Sequence, residues 1–248
     1  MLARLSMILK TDNEMYFNIN KSSLLHGVIM ENIDSEFVDE LHGKGLNPFT
    51  STIMKTGDEW VWSICTLNIT AYEKIILKFI DSSFDGFEIV HNKTNVKIIS
   101  KKLETKEKSE LVREFYNNNS ENYISIRFVT PTAFKSNGKY VFYPDLELIF
   151  KSLMNKYSQC TDNESFLDDD TLNNIIQNTI IVKYNLKSVL FNMEGVKIPG
   201  FVGKIRIKMT GAETMKKFIK MLFEFGEYSG IGIKCSLGMG KIELTEDF

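Results

Sequence analysis

Apolar and polar residues alternate from the start of the chain. Ala3, Leu5, Met7 and Leu9 are interleaved with Arg4 and Ser6, with Lys10 close behind. That period of two is the signature of a strand with one covered face. The period then lengthens. Leu24, Leu25, Val28, Ile29 and Ile33 follow helical spacing, with Ser22 or Ser23 placed to cap the first turn. Asp34 offers a second cap, followed by Phe37, Val38 and Leu41, so a two-part helix is predicted to run to about His42. Gly43 and Gly45 end it, and Pro48 prevents its restart. Two β-rich runs come next, Phe49–Lys55 and Trp60–Asn68, joined at Gly57-Asp58. Ile75, Ile76, Phe79 and Ile80 predict a helix over 71–82, and strands are predicted at Phe87–Val90 and Val96–Ser100. The order strand, helix, strand, strand, helix, strand is that of a ferredoxin-like unit, a four-stranded antiparallel sheet backed by two helices.

The densely charged Lys101–Arg113 reads as a connection, with a short helix at Glu110–Tyr116 and a polar run at Asn117–Ser120. A second mixed α/β set follows. Strands are predicted at Tyr123–Val129 and Lys139–Tyr143. Asp145 is placed to cap a helix bearing Leu146, Ile149, Phe150, Leu153 and Met154. Asp162–Asp170 reads as an acidic surface loop and Leu172–Gln177 as a helix. Long strands at Ile180–Asn192 and Val196–Met209 precede a helix at Ala212–Phe225 and a final strand from Ile242. The duplication is one of pattern, since no residue-level repeat is visible.

Composition changes this picture little. The chain has 248 residues, 43% apolar and 25% charged, with a net charge of -2. These are the values of an ordinary globular protein and give no global sign of a polyanion partner. The distribution of charge does. Between Lys183 and Lys241 there are eleven basic residues against four acidic ones. Such an excess can steer a polyanion, or can simply be a solvated lysine-rich surface. Three scattered cysteines, Cys65, Cys160 and Cys235, form neither a zinc spacing nor a disulfide framework, which suits a reducing compartment. The N-terminal apolar run is too short for a signal peptide, and no run approaches the length of a membrane helix. A cytoplasmic protein without a membrane partner is expected.

Within the basic region lies the most distinctive stretch, 230–241. Two Gly-apolar-Gly triplets, Gly230-Ile231-Gly232 and Gly238-Met239-Gly240, flank five residues that include Lys234 and Ser236, and Lys241 follows. Such a loop can cradle phosphates with its backbone amides, or can be a glycine-rich turn between elements. It is neither a dinucleotide fingerprint nor a P-loop. Lys204, Arg206 and Lys208 alternate with Ile205 and Ile207, which puts three cations on one strand face. They could track a phosphate backbone or merely keep an edge wet. Among the histidines, His91 sits in a polar turn and His26 lies on the first helix. His42 ends a helix and enters Gly43-Lys44-Gly45. A helix C-terminus favours an imidazolium, and the group can equally serve as a cap. No zinc motif, nucleophile elbow or kinase set is present.

These landmarks resemble the CRISPR-associated endoribonuclease that processes precursor CRISPR RNA, the Cas-six family. The resemblance rests on Gly230–Gly240, on Gly200-Phe201-Val202-Gly203, Phe225-Gly226-Glu227 and Phe128–Lys135, and on Leu24-Leu25-His26-Gly27 and Leu41-His42 followed by Pro48-Phe49-Thr50. It implies an α+β chain of two tandem ferredoxin-like domains of the RNA-recognition-motif-like (RAMP) type, at 1–120 and 121–248. It implies cleavage of precursor CRISPR RNA within repeats without a metal or other cofactor. The 2′-hydroxyl attacks, leaving a 2′,3′-cyclic phosphate and a 5′-hydroxyl. His42 matches the family's general acid/base, with His26 and Lys44 as its assistants. Met30 and Asn47 stand roughly where some members carry a tyrosine and a lysine. RNA would be held by Gly230, Gly232, Lys234, Ser236, Gly238, Gly240 and Lys241, with Lys204, Arg206 and Lys208. The implied partners are CRISPR repeat RNA and CRISPR effector complex proteins, with the chain a monomer or homodimer. A non-catalytic RNA-binding RAMP subunit of an effector complex would share these domains, and a metal-free cleavage assay separates the two readings.

Overall fold

The computed structural model describes residues 1–11, 17–43, 45–89, 93–117, 121–160, 168–193, 195–246 and 248. The alternating N-terminal stretch is a strand, β1 (Leu2–Thr11). A hairpin of β2 (Phe49–Thr56) and β3 (Glu59–Thr66) lies on one side of it. A hairpin of β4 (Gly86–Ile89) and β5 (Thr94–Lys106) lies on the other. The five strands form one antiparallel sheet in the order β2-β3-β1-β5-β4. Four of them, β2-β3-β1-β5, carry the ferredoxin-like order, and β4 is an additional edge strand.

Helices α1 (Ser22–Asn32) and α2 (Ser35–Gly43), with α3 spanning 69–80, cover one face of this sheet. The helical periodicity reads out as burial: Leu25, Ile29, Phe37, Leu41, Ile75, Ile76 and Phe79 share one core with Leu5, Met7, Trp62 and Ile64. Asn68 caps α3 by accepting from the Ala71 N–H at 2.8 Å, and the helix widens to π geometry over Tyr72–Ile76. Trp62 is fully buried, and its indole N–H donates to Ser51 Oγ at 2.9 Å, so its one polar atom is satisfied.

One expectation fails in this half. Lys101–Lys106 is not a connection but the continuation of β5, paired with β1 as far as Leu2 opposite Lys106. Leu103 sits opposite Leu5 and packs on the core, while Lys102 and Glu104 take the other face and pair with each other at 2.6 Å. Charges on alternate residues are what a strand with one wet face carries. Helix α4 (Lys108–Asn117) follows close to its predicted place.

The second half repeats the plan. Strands β6 (Tyr123–Thr132), β9 (Thr179–Met193), β10 (Val196–Met209) and β11 (Ile242–Thr245) form an antiparallel sheet ordered β11-β6-β10-β9. This is again the ferredoxin-like order. Strands β7 (Phe134–Ser136) and β8 (Lys139–Val141) make a separate small hairpin. Helices α5 (Leu146–Cys160), α6 (Asp169–Gln177) and α7 (Glu213–Ser229) complete the unit. Asp145 accepts from the Leu148 N–H at 2.9 Å, as its capping position predicts. Its core joins Ile126, Phe128, Phe150, Leu153, Ile205, Ile207, Leu222, Phe225 and Ile242. The expected acidic loop is, at 168–170, the start of a helix. Asp168 is a helix N-cap that accepts from the Thr171 N–H at 2.6 Å, and Asp169 and Asp170 form the first turn of α6. Carboxylates belong there because that helix end presents unpaired N–H groups. Residues 162–167 of that stretch lie outside the described residues.

The end of α7 locks the two halves together. Arg4, on the helix-free face of the first sheet, donates to Glu227 O at 2.9 Å and lies 4.7 Å from the centre of the Tyr228 ring. Thr50 Oγ1 donates to Tyr228 O at 2.9 Å. No helix among the described residues is long and apolar enough to cross a membrane.

Candidate active site and nucleic-acid interface

The glycine loop begins where α7 ends. Gly238 and Gly240 have φ of 107° and 75°, which a residue with a Cβ rarely adopts. Both are also tightly approached: a Cβ would meet Ser22 Cβ at 2.2 Å from Gly238, and Ile231 O at 2.1 Å from Gly240. The first contact docks the loop on α1 of the other half. The second lets the two glycine triplets run side by side, with the Ile231 N–H donating to Gly240 O at 2.8 Å.

This geometry narrows the expected phosphate cradle. Most of the loop's amides are spent inside the protein. Ile233 donates to Ala133 O, Gly240 to Pro131 O, Lys241 to Thr130 Oγ1 and Gly232 to Ser152 Oγ, all within 2.9–3.0 Å. Met239 packs in a small core with Ala133, Phe191 and Ile198. The loop is therefore first a device that joins β6, α5 and α1. What faces the cleft is its tip around Lys234, with Cys235 and Ser236 themselves buried in its wall.

Opposite that tip lies the segment after His42. His42 is exposed in the last turn of α2. The chain then passes Gly45, Leu46 and Asn47 into β2, and Asn47 Nδ2 donates to Ser236 Oγ at 3.0 Å. Between these segments is a cleft of about 340 Å³, lined by Gly45, Leu46 and Asn47 on one side and Gly232–Leu237 on the other, with Lys156 also in its wall. Lys44, expected beside His42, lies outside the described residues. His26 is half-buried on α1, its ring parallel to Phe49 with centroids 5.7 Å apart and an 8° interplanar angle. The fold thus brings the His42 segment and the glycine loop to one cleft from opposite halves of the chain.

The predicted cation row is also present. Ile205 and Ile207 are fully buried, and Lys204, Arg206 and Lys208 take the opposite face of β10. Lys204 lies opposite Arg127 and Asn185, and Arg206 opposite Ser125 and Lys183. The Arg206 guanidinium stacks 5.0 Å from the Tyr123 ring centre, which holds it in place beside an aromatic face. Arg206 also opens on a groove of about 700 Å³ with Tyr123, Lys216, Lys217 and Lys220 in its walls. Lys241 departs from its expected place. It lines a small recess at the junction of the halves with Arg4, Thr50, Cys65 and Tyr228, rather than the cleft. Burial there lowers its pKa, against the opposing pull of Cys65 and of Glu243, 3.9 Å away.

Sequence reasoning missed two residues on α5. Lys156 is 6% exposed, and its Nζ donates to Ser229 O at 3.2 Å, Gly230 O at 3.0 Å and Cys235 Sγ at 3.0 Å. Ser152, one turn earlier, accepts from the Gly232 N–H. A lysine among Ile149, Leu153 and Tyr157 on an apolar helix face was the available signal, since lysine is almost never buried without a purpose.

Two ferredoxin-like units in tandem, a glycine loop wedged between them and a cationic sheet face define a class of RNA-handling proteins built on this fold. Residues 126–242 match the model of the CRISPR-associated endoribonuclease Cas6 family. The CRISPR-associated endoribonuclease Cas6 of Streptococcus thermophilus is 37% identical over 223 residues, covering 89% of this chain and 90% of that one. The protein of that name from Mycobacterium tuberculosis is 34% identical over 221 residues, covering 89% of this chain and 70% of its own. The chain belongs to the CRISPR-associated endoribonuclease Cas6 family. Solved structures share its fold. A Cas6 product complex superposes with a TM-score of 0.80 at 18% identity, over 99% of both chains. A Cas6 substrate mimic complex gives 0.76 at 18% identity, over 98% of this chain and 99% of that one. A Cas6-related protein from Pyrococcus furiosus gives 0.65 at 15% identity, over the full length of both.

Proposed function

We propose that this endoribonuclease cuts precursor CRISPR RNA within its repeats, without a metal, in the cleft between the His42 segment and the glycine loop. One observation carries the reading: Asn47 and Ser236, 189 residues apart, are hydrogen-bonded across that cleft. The chain after the candidate catalytic histidine is thereby held against the loop that distinguishes the family. The domain division follows the same line, with residues 1–120 carrying His42 and residues 121–248 carrying the glycine loop.

The chemistry needs little from the protein. The RNA 2′-oxygen attacks the adjacent phosphorus, and the bond from phosphorus to the 5′ oxygen breaks. A base takes the 2′-hydroxyl proton and an acid returns one to the 5′ oxygen, leaving a 2′,3′-cyclic phosphate and a 5′-hydroxyl. An imidazole can serve either role near neutral pH, and such help is worth about 10²–10⁴-fold. His42 fills it, being exposed at a helix end three residues before the segment that lines the cleft. Lys44, two residues on in the chain, supplies charge, and His26, stacked on Phe49, acts by positioning the first strand after the cleft. The tip of the glycine loop, with Lys234 and Ser236, and the row Lys204, Arg206 and Lys208 hold the RNA backbone. Because the nucleophile belongs to the RNA, the mechanism requires no metal-bound water. Repeat RNA is the partner, CRISPR effector proteins are a further partner class, and the cytoplasm is the setting. One copy of the chain contributes every residue named, so a monomer suffices and a homodimer is compatible.

The test is single-turnover cleavage of labelled repeat RNA in excess EDTA. Wild-type protein gives one discrete cut, and His42→Ala lowers the rate by about 10²-fold or more with RNA retention unchanged. A wild-type rate in His42→Ala, or a strict metal requirement, refutes the mechanism. Retention without any cut would instead mark an RNA-binding subunit, a reading that membership in an endoribonuclease family disfavours.

A further inference from the structure

Among the described residues Lys156 is the one buried cation at the cleft, and nothing in the proposed mechanism so far uses it. Its three acceptors match the three protons of an ammonium. All three are neutral groups, two carbonyls and a thiol sulfur, and among the described residues no carboxylate pairs with it. Buried charges are ordinarily paired, because an uncompensated one is costly in a medium that solvates poorly. Lys156 instead stands in the wall of the cleft with no carboxylate partner among the described residues. Asn47, facing the same cleft, is a neutral residue.

We infer that Lys156 is a positioning residue for the cut: its buried ammonium locks the glycine loop and supplies, from behind that loop, the positive field for the phosphate entering the cleft. This rests on the cleft being the cleavage site. The anion that Lys156 lacks among the described residues is then the RNA phosphodiester, and its charge grows as the phosphorane forms. A fixed charge behind the loop is screened less by salt than one at the surface, and it need not reorganise during the reaction. It touches the loop, not the RNA. The three bonds from Nζ hold the loop tip in one shape. The positive charge behind the tip favours an oxyanion in the cleft.

Loop locking and charge can be separated, because α5 holds the loop twice. Ser152 ties Gly232 without a charge, and Lys156 ties Ser229, Gly230 and Cys235 with one. Three variants of the full chain are compared in single-turnover cleavage and in RNA binding without turnover. Lys156→Met keeps the shape and removes charge and donors. Lys156→Gln keeps donors and removes the charge. Ser152→Ala loosens the loop and keeps the charge. The expected result is a loss of about 10²-fold in cleavage rate at saturating protein for both Lys156 variants. Their RNA dissociation constants should stay within about threefold of wild type, and Ser152→Ala should lose less than about tenfold in rate. Should Lys156→Met not fold, Lys156→Gln alone decides. A wild-type rate in Lys156→Gln overturns the inference, and so does an equal loss in Ser152→Ala, which would make Lys156 a loop tie only. If wild-type protein itself leaves repeat RNA uncut, the reading of the cleft falls. If it cuts and Lys156→Gln cuts as fast, only the role of Lys156 falls.

Discussion

Single residues at the junction of the halves carry charge states that their sequence positions do not announce. Glu224, on α7, has its pKa raised by burial. Lys106 opposes the shift, while Glu114 and Glu227 reinforce it. A carboxyl with a raised folded pKa stabilises the fold most fully below its unfolded pKa. That contribution is lost as pH rises through the folded value. At pH 8 the ionised Glu224 therefore weakens the fold relative to a neutral side chain. Glu224→Gln should raise the melting temperature at pH 8, and the gap to wild type should shrink toward pH 4. A gap that is equal at both pH values, or reversed, would contradict this account. Lys156 belongs to the same scale. A lysine on the apolar face of an amphipathic helix is a signal in the sequence, but only the packed loop reveals what it binds. His42 was legible as a candidate because it stands at a helix end before a glycine pair and matches a landmark of the family. The arrangement that would let it act was not legible.

At the scale of elements, periodicity was a reliable guide wherever one face met a core and the other met water. β1, α1, α2, α3 and α7 follow their patterns for that reason. Misreadings came where charge outweighed pattern. The second half of β5 was read as a connection because Lys101, Lys102, Glu104 and Lys106 hid the single inward Leu103. Asp168–Asp170 was read as a loop because helix capping and solvated acidity use the same residues. The glycine loop was legible as special, but its use of amides was not, since its acceptors lie on β6, at Ala133 just after it and on α5, far away in sequence. The loop's shape is also its weak point. Gly238→Val would place a β-branched side chain at φ 107° against Ser22 of α1. The loop must then leave α1, and repeat RNA binding should weaken by about tenfold, or ~1.4 kcal/mol, in contrast to His42→Ala. Equal affinity in Gly238→Val and wild type, measured by RNA titration, would show that the docking of the loop is irrelevant to the RNA.

For the whole molecule, the decisive feature is how the two ferredoxin-like units meet. Arg4 spans that meeting with a charged hydrogen bond to Glu227 O and a contact with the Tyr228 ring. Arg4→Ala should lower the unfolding free energy by about 1–3 kcal/mol and slow cleavage, with secondary structure unchanged by circular dichroism. An unaltered denaturation midpoint would show that Arg4 is not a junction residue. The sequence by itself determined most of the elements and, through its spaced glycines and flanking landmarks, the family. Those features are local: strand and helix periods, caps, turns and a loop of fixed spacing. It placed His42 and the glycine loop as separate landmarks in different halves of the chain. Only the tertiary structure decided that the His42 segment and the loop face one cleft, that the loop's amides are mostly spent holding it in place, and that Lys156 stands behind it. Those facts depend on contacts between residues as far apart as Asn47 and Ser236. No local period encodes such contacts, because they arise from the docking of one completed core upon another.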